Sequence, residues 1–71
     1  MTEMMNAMKA SMAEHWDMSP EFFEAHTEGK RDDLNEGWFT LEFNDAEGNM
    51  VFWVESDMNG EVWNTNFEGE S

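Results

Sequence analysis

The stretch "GWFTLEFNDAEGNMVFWVESDMNGEVWNTNF", residues 37–67, decides the predicted fold, because apolar and polar side chains alternate along three runs within it. Alternation with a period of two is typical of β-strands that bury one face. The "DAEG" stretch at 45–48 and the Asn59-Gly60 pair are turn signals that separate the runs. The sequence therefore predicts a three-stranded antiparallel meander with strands at 37–44, 49–57 and 61–67.

The predicted register follows from the turns. With Asn59-Gly60 as a two-residue loop, Ser56 opposes Trp63 and Val54 opposes Thr65, and a first loop of two or four residues preserves the parity. The predicted core face holds Phe39, Leu41, Phe43, Met50, Phe52, Val54, Trp63 and Phe67. The opposite face holds Trp38, Thr40, Glu42, Val51, Trp53, Glu55, Val62, Asn64 and Asn66. A one-residue bulge in either turn would exchange these assignments for one strand.

The N-terminal part of the chain has a helical period instead. Met1, Met5, Met8, Met12 and Trp16 recur at spacings of three or four, which predicts a helix over 2–18 with a Met-rich core stripe. Ser19 is expected to cap a second helix, predicted at 20–28, with Pro20 at its first position and Gly29 as its end. Residues 30–37 are interpreted as a polar connector, and a continuation of the helix to residue 34 stays open.

These elements predict an α+β fold in which two N-terminal helices pack on one face of a three-stranded antiparallel sheet (ααβββ). At 71 residues the chain forms one domain, since a chain this small cannot divide its core. Residues 68–71 are expected to be a disordered tail.

Charge is the most unusual property of the composition. The chain has 17 Asp and Glu against three Lys and Arg, a formal net charge of −14, and no cysteine. Disulfides and thiolate metal sites are therefore excluded, and direct binding to nucleic acid or to an anionic membrane requires the opposite sign. The N-terminal residues have neither a signal-peptide pattern nor an apolar span, so a cytoplasmic location is expected.

The residues offer no pattern for catalysis or for a metal. His15 and His26 lie eleven residues apart without a ligand spacing such as HxxxH or HExxH. The two turns resemble calcium loops only in composition, and hairpin chemistry accounts for them. No phosphate-binding loop, cysteine or tyrosine is present, and Ser residues have no matched His. We therefore expect no catalytic residue, no metal site and no cofactor.

The excess charge has three interpretations: a solvated surface, adaptation to high salt, or mimicry of nucleic-acid phosphates. A protein of this size exposes about 270 Å² per carboxylate by the surface scaling law. Duplex DNA exposes about 110 Å² per charge. Mimicry thus requires the carboxylates to gather on one side or two subunits to combine. The densest segment places eight acids in 23 residues: Glu14, Asp17, Glu21, Glu24, Glu28, Asp32, Asp33 and Glu36.

In size and composition over its whole length, though in no single motif, the chain resembles small, acidic, cysteine-free proteins with which bacteriophages and other mobile elements inhibit host nucleic-acid machinery. They include anti-CRISPR and anti-restriction proteins and inhibitors of polymerases or nucleases. The resemblance implies a non-enzymatic inhibitor that binds a basic nucleic-acid-binding surface, for which charge would supply steering and aromatic side chains the anchors. The candidate contact residues are the eight acids above together with Trp38, Glu42, Trp53 and Glu55.

A second hypothesis comes from a different class of protein. The outer sheet face could pair with a second copy and bury Trp38 and Trp53 in a homodimer, which would make the chain a small structural or assembly protein. Charge would then serve solubility alone. Size in solution over a concentration series discriminates the two hypotheses.

Overall fold

The computed structural model of the protein describes residues 2–33 and 37–70, with only the backbone of Thr2 and Asp33. These residues form α1 (Thr2–Trp16), α2 (Pro20–Glu24), β1 (Thr27–Asp33), β2 (Trp38–Asn44), β3 (Met50–Asp57) and β4 (Val62–Thr65). The strands make one antiparallel sheet in the order β1-β2-β3-β4. The α+β class and the antiparallel meander are confirmed, whereas the predicted count of three strands was wrong.

The additional strand, β1, lies where the sequence predicted the end of a helix and a polar connector. Helix α2 ends at Glu24, so the predicted helix at 20–28 was too long. Strand β1 pairs with β2 through an irregularity between Glu28 and Arg31. An edge strand receives its backbone hydrogen bonds from a single neighbour and tolerates charged side chains on both sides. "TEGKRDD" contains no apolar residue, so its pairing depends on β2 and leaves no periodic signal.

Both helices begin at the predicted residues, but α1 ends at Trp16, two residues before its predicted end. Asp17 adopts a left-handed backbone conformation, with φ 57°, directly after α1. Ser19 caps α2, since its hydroxyl accepts a hydrogen bond of 3.1 Å from the Phe22 N–H. The Glu70 carboxylate also accepts hydrogen bonds from the backbone N–H and the hydroxyl of Ser19. A part of the segment predicted to be a disordered tail therefore contacts the start of α2.

The core lies between the helices and one face of the sheet. Met8 and Met12 are fully buried, which confirms the Met stripe of α1 as core, while Met1 lies outside the described residues. Phe23 packs on Phe43 with ring centroids 4.9 Å apart. The buried cluster consists of Met8, Met12, Met18, Phe23, Phe39, Leu41, Phe43, Phe52, Val54, Val62 and Phe67.

Both hairpin loops have three residues, whereas two or four were expected for the first and two for the second. In the first loop the Asp45 N–H donates to Asn49 O at 2.9 Å and the Gly48 N–H to Asp45 O at 3.0 Å. In the second loop the Asp57 N–H donates to Glu61 O at 3.0 Å and the Gly60 N–H to Asp57 O at 3.1 Å. Each loop ends in a left-handed glycine with φ 86°, which suits a residue without Cβ.

A one-residue bulge follows each loop on the outgoing strand. Ser56 pairs with Val62 but Glu55 pairs with Asn64, which leaves Trp63 as the extra residue. Val62 is consequently buried and Trp63 is 51% exposed, so the faces predicted for these two residues were wrong. The longer loop and the bulge shift the register in opposite directions, so the predicted register is restored at Thr65. Its predicted pairing with Val54 is confirmed.

The first hairpin has the same irregularity. Asn44 pairs with Met50 and Phe43 with Phe52, so Val51 is the extra residue there. Met50 was predicted to lie in the core but is 47% exposed, because it precedes the bulge that restores the phase of β3. Phe52 and Val54, beyond the bulge, are buried as predicted.

Candidate functional site

The candidate site is the face of the sheet turned away from the helices, which we call the outer face. Strands β2 and β3 bury every second residue against the helices, and the intervening residues point to the other side. Trp63 joins them through its bulge. The outer face consists of Asp32, Trp38, Thr40, Glu42, Trp53, Glu55, Asp57, Trp63 and Asn64.

Aromatic and acidic side chains alternate across the outer face. Trp53 lies directly opposite Glu42, and Trp38 lies directly opposite Asp57. Directly opposed side chains of an antiparallel pair have Cβ atoms about 4.5–5.5 Å apart, close enough for both to contact one bound group. Glu55 lies between these two rows and faces Thr40 on one side and Asn64 on the other. The outer face is thus a mixed surface rather than a second core.

Two of the tryptophans contact each other. The Trp38 and Trp63 rings meet edge to face with centroids 5.8 Å apart and an interplanar angle of 90°. Trp38 is half-buried, and its indole Nε1 is inaccessible to solvent and has no hydrogen-bond partner among the described residues. A buried donor without an acceptor costs about 1–3 kcal/mol. Together the two rings form an aromatic surface on the outer face, with Trp63 as its exposed part.

Trp53 is held in place through its own backbone. Its N–H donates to the Asn66 side-chain oxygen at 2.8 Å, and its carbonyl accepts a hydrogen bond from the Thr65 hydroxyl. Both partners belong to β4 or the residue after it. These bonds fix the strand position from which the indole projects, so the backbone need not be ordered on binding.

The basic residues leave the centre of the outer face uncompensated. Lys9 pairs with Glu24 on the helical side. Lys30 Nζ lies 3.7 Å from Asp32 Oδ2 on the edge strand β1. The Arg31 guanidinium lies 4.3 Å from the centroid of Phe39, a core-face residue. In the part of the chain that the structure describes, no ion pair joins Glu42 or Glu55 to a basic side chain.

The acids predicted as contact residues do not form one surface with the tryptophans. Glu14 and Asp17 lie at the end of α1, and Glu21 and Glu24 lie on α2, all exposed on the helical side. Glu28 is exposed on β1, opposite Phe43 of the core face. Asp32 opposes Thr40 and so belongs to the outer face. The Asp33 side chain and Glu36 lie outside the described residues.

The total accessible surface is 4,559 Å², which agrees with the value of about 270 Å² per carboxylate expected from the surface scaling law. The average density of negative charge therefore stays below that of DNA. Carboxylates occur on both sides of the protein, with Glu14 on the helical side and Glu42 on the outer face. The arrangement supplies a field of one sign rather than a single phosphate-like row.

Neither histidine belongs to a metal-binding arrangement. His26 Nδ1 lies 2.7 Å from the Phe22 carbonyl oxygen, and its ring contacts Phe22 and Phe52. His15 is exposed, 3.6 Å from Glu14. Among residues 2–33 and 37–70, no three His, Asp or Glu side chains are grouped closely enough to hold a metal ion.

An open groove of about 410 Å³ lies beside the contact between α1 and the second hairpin loop. Ser11 lines it, but its hydroxyl accepts a 3.0 Å hydrogen bond from the Val62 N–H and is buried. This bond fastens α1 to the edge of β4, which gives Ser11 a structural task. The other lining residues are Ala7, Ala10, Glu14, His15, Asn59 and Glu61.

The chain has no match among protein-family models, curated proteins or solved structures. Neither helix among the described residues is long and apolar enough to cross a membrane. The case for function therefore depends on the outer face itself. The sequence predicted four of its central residues, Trp38, Glu42, Trp53 and Glu55. It missed Trp63, because the loop length that sets the position of Trp63 was predicted wrongly.

Proposed function

We propose that the protein is a non-enzymatic acidic inhibitor that docks its outer face on a basic, nucleic-acid-binding surface of a host defence or nucleic-acid-processing complex. The proposed class is the anti-CRISPR or anti-restriction type, encoded by a phage or another mobile element. The chain would then act in the host cytoplasm, where such complexes work. It needs no cofactor for this task.

One observation carries the proposal: three tryptophans share the outer face with Glu42 and Glu55, which have no basic partner among the described residues. Tryptophan is among the residues that most often supply binding energy at protein interfaces. Uncompensated carboxylates beside them disfavour acidic partners and favour basic ones. Nucleic-acid-binding grooves are strongly basic, because clustered Lys and Arg side chains neutralise the phosphates.

The acids of the helical side have a different proposed role. Glu14, Glu21 and Glu28 lie away from the outer face, so they would attract the partner from a distance rather than contact it. Steering by net charge raises association rates and weakens as salt is added. Occupation of the partner's groove would then exclude nucleic acid through position as well as charge.

Self-association through the outer face is the competing proposal. The 51% exposure of Trp63 favours it, since an exposed indole gains from any apolar contact. Charge opposes it, because two copies would bring Glu42 and Glu55 of each face against carboxylates of the other. Sedimentation over a concentration series separates the two: a dimer that forms at micromolar concentration favours self-association, and a persistent monomer removes it.

The test of inhibition is a competition experiment. The full chain is immobilised, bacterial nucleases that bind it are purified, and each is challenged with its own DNA or RNA substrate. We expect the nucleic acid to displace the chain and binding to weaken steeply with salt. A stable complex of all three components, or binding insensitive to salt, would contradict the proposal.

Two variants locate the contact. Trp53→Ala should weaken binding to the captured nuclease at least about tenfold, because truncating a central aromatic anchor commonly costs more than 1.4 kcal/mol. Glu21→Gln, on the helical side, is the matched control and should slow association slightly without changing dissociation. Unchanged binding by folded Trp53→Ala protein would place the contact elsewhere.

A further inference from the structure

We propose that the outer face binds a pair of arginine side chains on the partner in preference to lysines. This inference rests on the proposed function in one respect, that the outer face is the docking surface. It adds the chemistry of recognition: two positions, each made of an indole and a neighbouring carboxylate. The first consists of Trp53 and Glu42, and the second of the Trp38–Trp63 pair and Glu55.

The first position has the geometry that a guanidinium requires. Glu42 and Trp53 are directly opposed on β2 and β3, and both are half-buried. A guanidinium can lie flat on an indole and still direct two N–H groups from its edge to one carboxylate. Asn66 and Thr65 hold the backbone of Trp53, so the strand position that carries the ring is fixed before binding.

The second position uses Glu55 rather than Asp57. Asp57 is nearer to Trp38 in register, but its Oδ1 accepts the N–H groups of Asn59 and Glu61, both at 2.9 Å, inside the loop. Glu55, in contrast, accepts a 3.0 Å hydrogen bond from the Asn64 side chain of the neighbouring strand, so its carboxylate lies along the outer face rather than in the loop and keeps lone pairs for a partner. Trp63, with 51% of its surface exposed, supplies the aromatic contact.

The spacing of the two carboxylates indicates the form of the partner. Glu42 opposes Trp53, and Glu55 lies two residues further along β3, so the two residues are diagonal neighbours whose positions on the strands are about 7–8 Å apart. Alternate side chains of an extended segment lie about 6.6–6.8 Å apart on one side. An extended Arg-x-Arg segment therefore matches both positions at once.

Arginine fits these positions better than lysine for a physical reason. The guanidinium is planar and weakly hydrated and combines stacking with two parallel hydrogen bonds, whereas an ammonium is a compact, strongly hydrated charge. The chain contains one example of the stacked arrangement, since the Arg31 guanidinium lies 4.3 Å from the Phe39 ring centroid. A face with carboxylates but no indoles would attract either cation through charge alone.

The experiment is an NMR titration of the full chain with two peptides that have free ends blocked and differ only in their cations, Gly-Ser-Arg-Ser-Arg-Ser-Gly and Gly-Ser-Lys-Ser-Lys-Ser-Gly. The indole N–H resonances of the four tryptophans report the position of binding, with Trp16 on α1 as the internal reference. We expect the Arg peptide to bind about tenfold more tightly and to shift the outer-face indoles but not Trp16.

Variants with equal charge separate recognition from attraction. Glu42→Gln and Glu55→Gln should each reduce the preference for the Arg peptide to less than about threefold, because each replaces a charged carboxylate with an amide that has a single acceptor oxygen and an NH2 group that faces the guanidinium donors. Glu21→Gln removes the same charge from the helical side and should preserve the preference. All three positions are on the surface, and the NMR spectrum shows directly whether each variant folds.

Equal affinity for the two peptides, equal effects of Glu21→Gln and Glu42→Gln, or no indole shift at millimolar peptide would overturn the inference. So would a second copy of the chain that covers the tryptophans, seen as indole shifts that change on dilution. Because no nuclease takes part, an arginine preference without displacement of nucleic acid in the competition experiment rejects the proposed function alone. Displacement without an arginine preference rejects this inference alone.

Discussion

The two hairpin loops have the same local structure in different surroundings. Together with the residue on each side, they span residues 45–49 and 57–61. Each begins with an aspartate whose Oδ1 accepts two backbone N–H groups at 2.9 Å, and each has a left-handed glycine at its fourth position. A Cβ at position 48 would have no neighbour within 4 Å. A Cβ at position 60 would lie 2.8 Å from the Met4 carbonyl oxygen and 2.9 Å from Ala7 Cβ. Local chemistry shapes both loops, but α1 packs on only one.

The largest expected effect comes from Gly60→Ala. The left-handed backbone costs about 1–2 kcal/mol for a residue with a Cβ, and displacing α1 costs about 1–3 kcal/mol more. We expect the free energy of unfolding in urea to fall by roughly 3 kcal/mol. Far-UV circular dichroism of the variant should show partial loss of helix, since α1 must move away from the loop.

Gly48→Ala is the matched control. It has the same φ of 86° and open space around it, so only the backbone term of about 1–2 kcal/mol should be lost. Equal destabilisation by the two substitutions would show that α1 does not rest on the second loop in solution.

The bulge after the second loop gives the next effect. Val62 is buried and its larger neighbour Trp63 is half exposed, so Val62→Ala should cost about 2 kcal/mol and Trp63→Ala about 1 kcal/mol. Without the bulge the larger side chain would be in the core and the order would reverse. Urea unfolding of both variants measures the order directly. Val51→Ala is the counterpart of Trp63→Ala, since Val51 is the extra residue of the bulge after the first loop.

The smallest effect concerns pH. The Asn49 backbone N–H lowers the pKa of Asp45 below 3.8, with partial opposition from desolvation and further lowering by the Glu47 N–H. A carboxylate with a lowered folded pKa stabilises the fold above its unfolded pKa, and this contribution is lost as pH falls through the folded value. Asp45→Asn should therefore lower the urea midpoint slightly at pH 7 and have no effect once the aspartate is protonated.

Glu47→Gln removes the same charge from the same loop and serves as the control for that measurement. Its side chain accepts none of the loop hydrogen bonds, so removing its charge should leave the midpoint unchanged or raise it by reducing self-repulsion. A decrease as large as that of Asp45→Asn would indicate that net charge, rather than the Asp45 hydrogen bonds, controls the effect.

The parts of the fold that sequence could predict are those with a local physical cause. The Met8–Met12 stripe, the Ser19 cap and the alternation of β2 were predicted because spacing and capping chemistry act within a few residues. Strand β1 was missed because its residues carry no apolar pattern, and its backbone is satisfied by β2. Trp38 and Trp53 were placed on the outer face correctly. The alternation of faces along β2, and along β3 from residue 52 onward, is not interrupted by the bulges.

The sequence by itself determined the alternating strands, the helical stripe, the two turns and the excess of negative charge, because each depends on residues adjacent along the chain. Only the tertiary structure decided that Trp63 joins Trp38 on the outer face. Val62 takes the core position that the sequence had predicted for Trp63. A three-residue loop shifts the phase of β4 by one residue, and a bulge shifts it back two residues later. Such compensating shifts leave no periodic trace, and here they add the third tryptophan to the outer face.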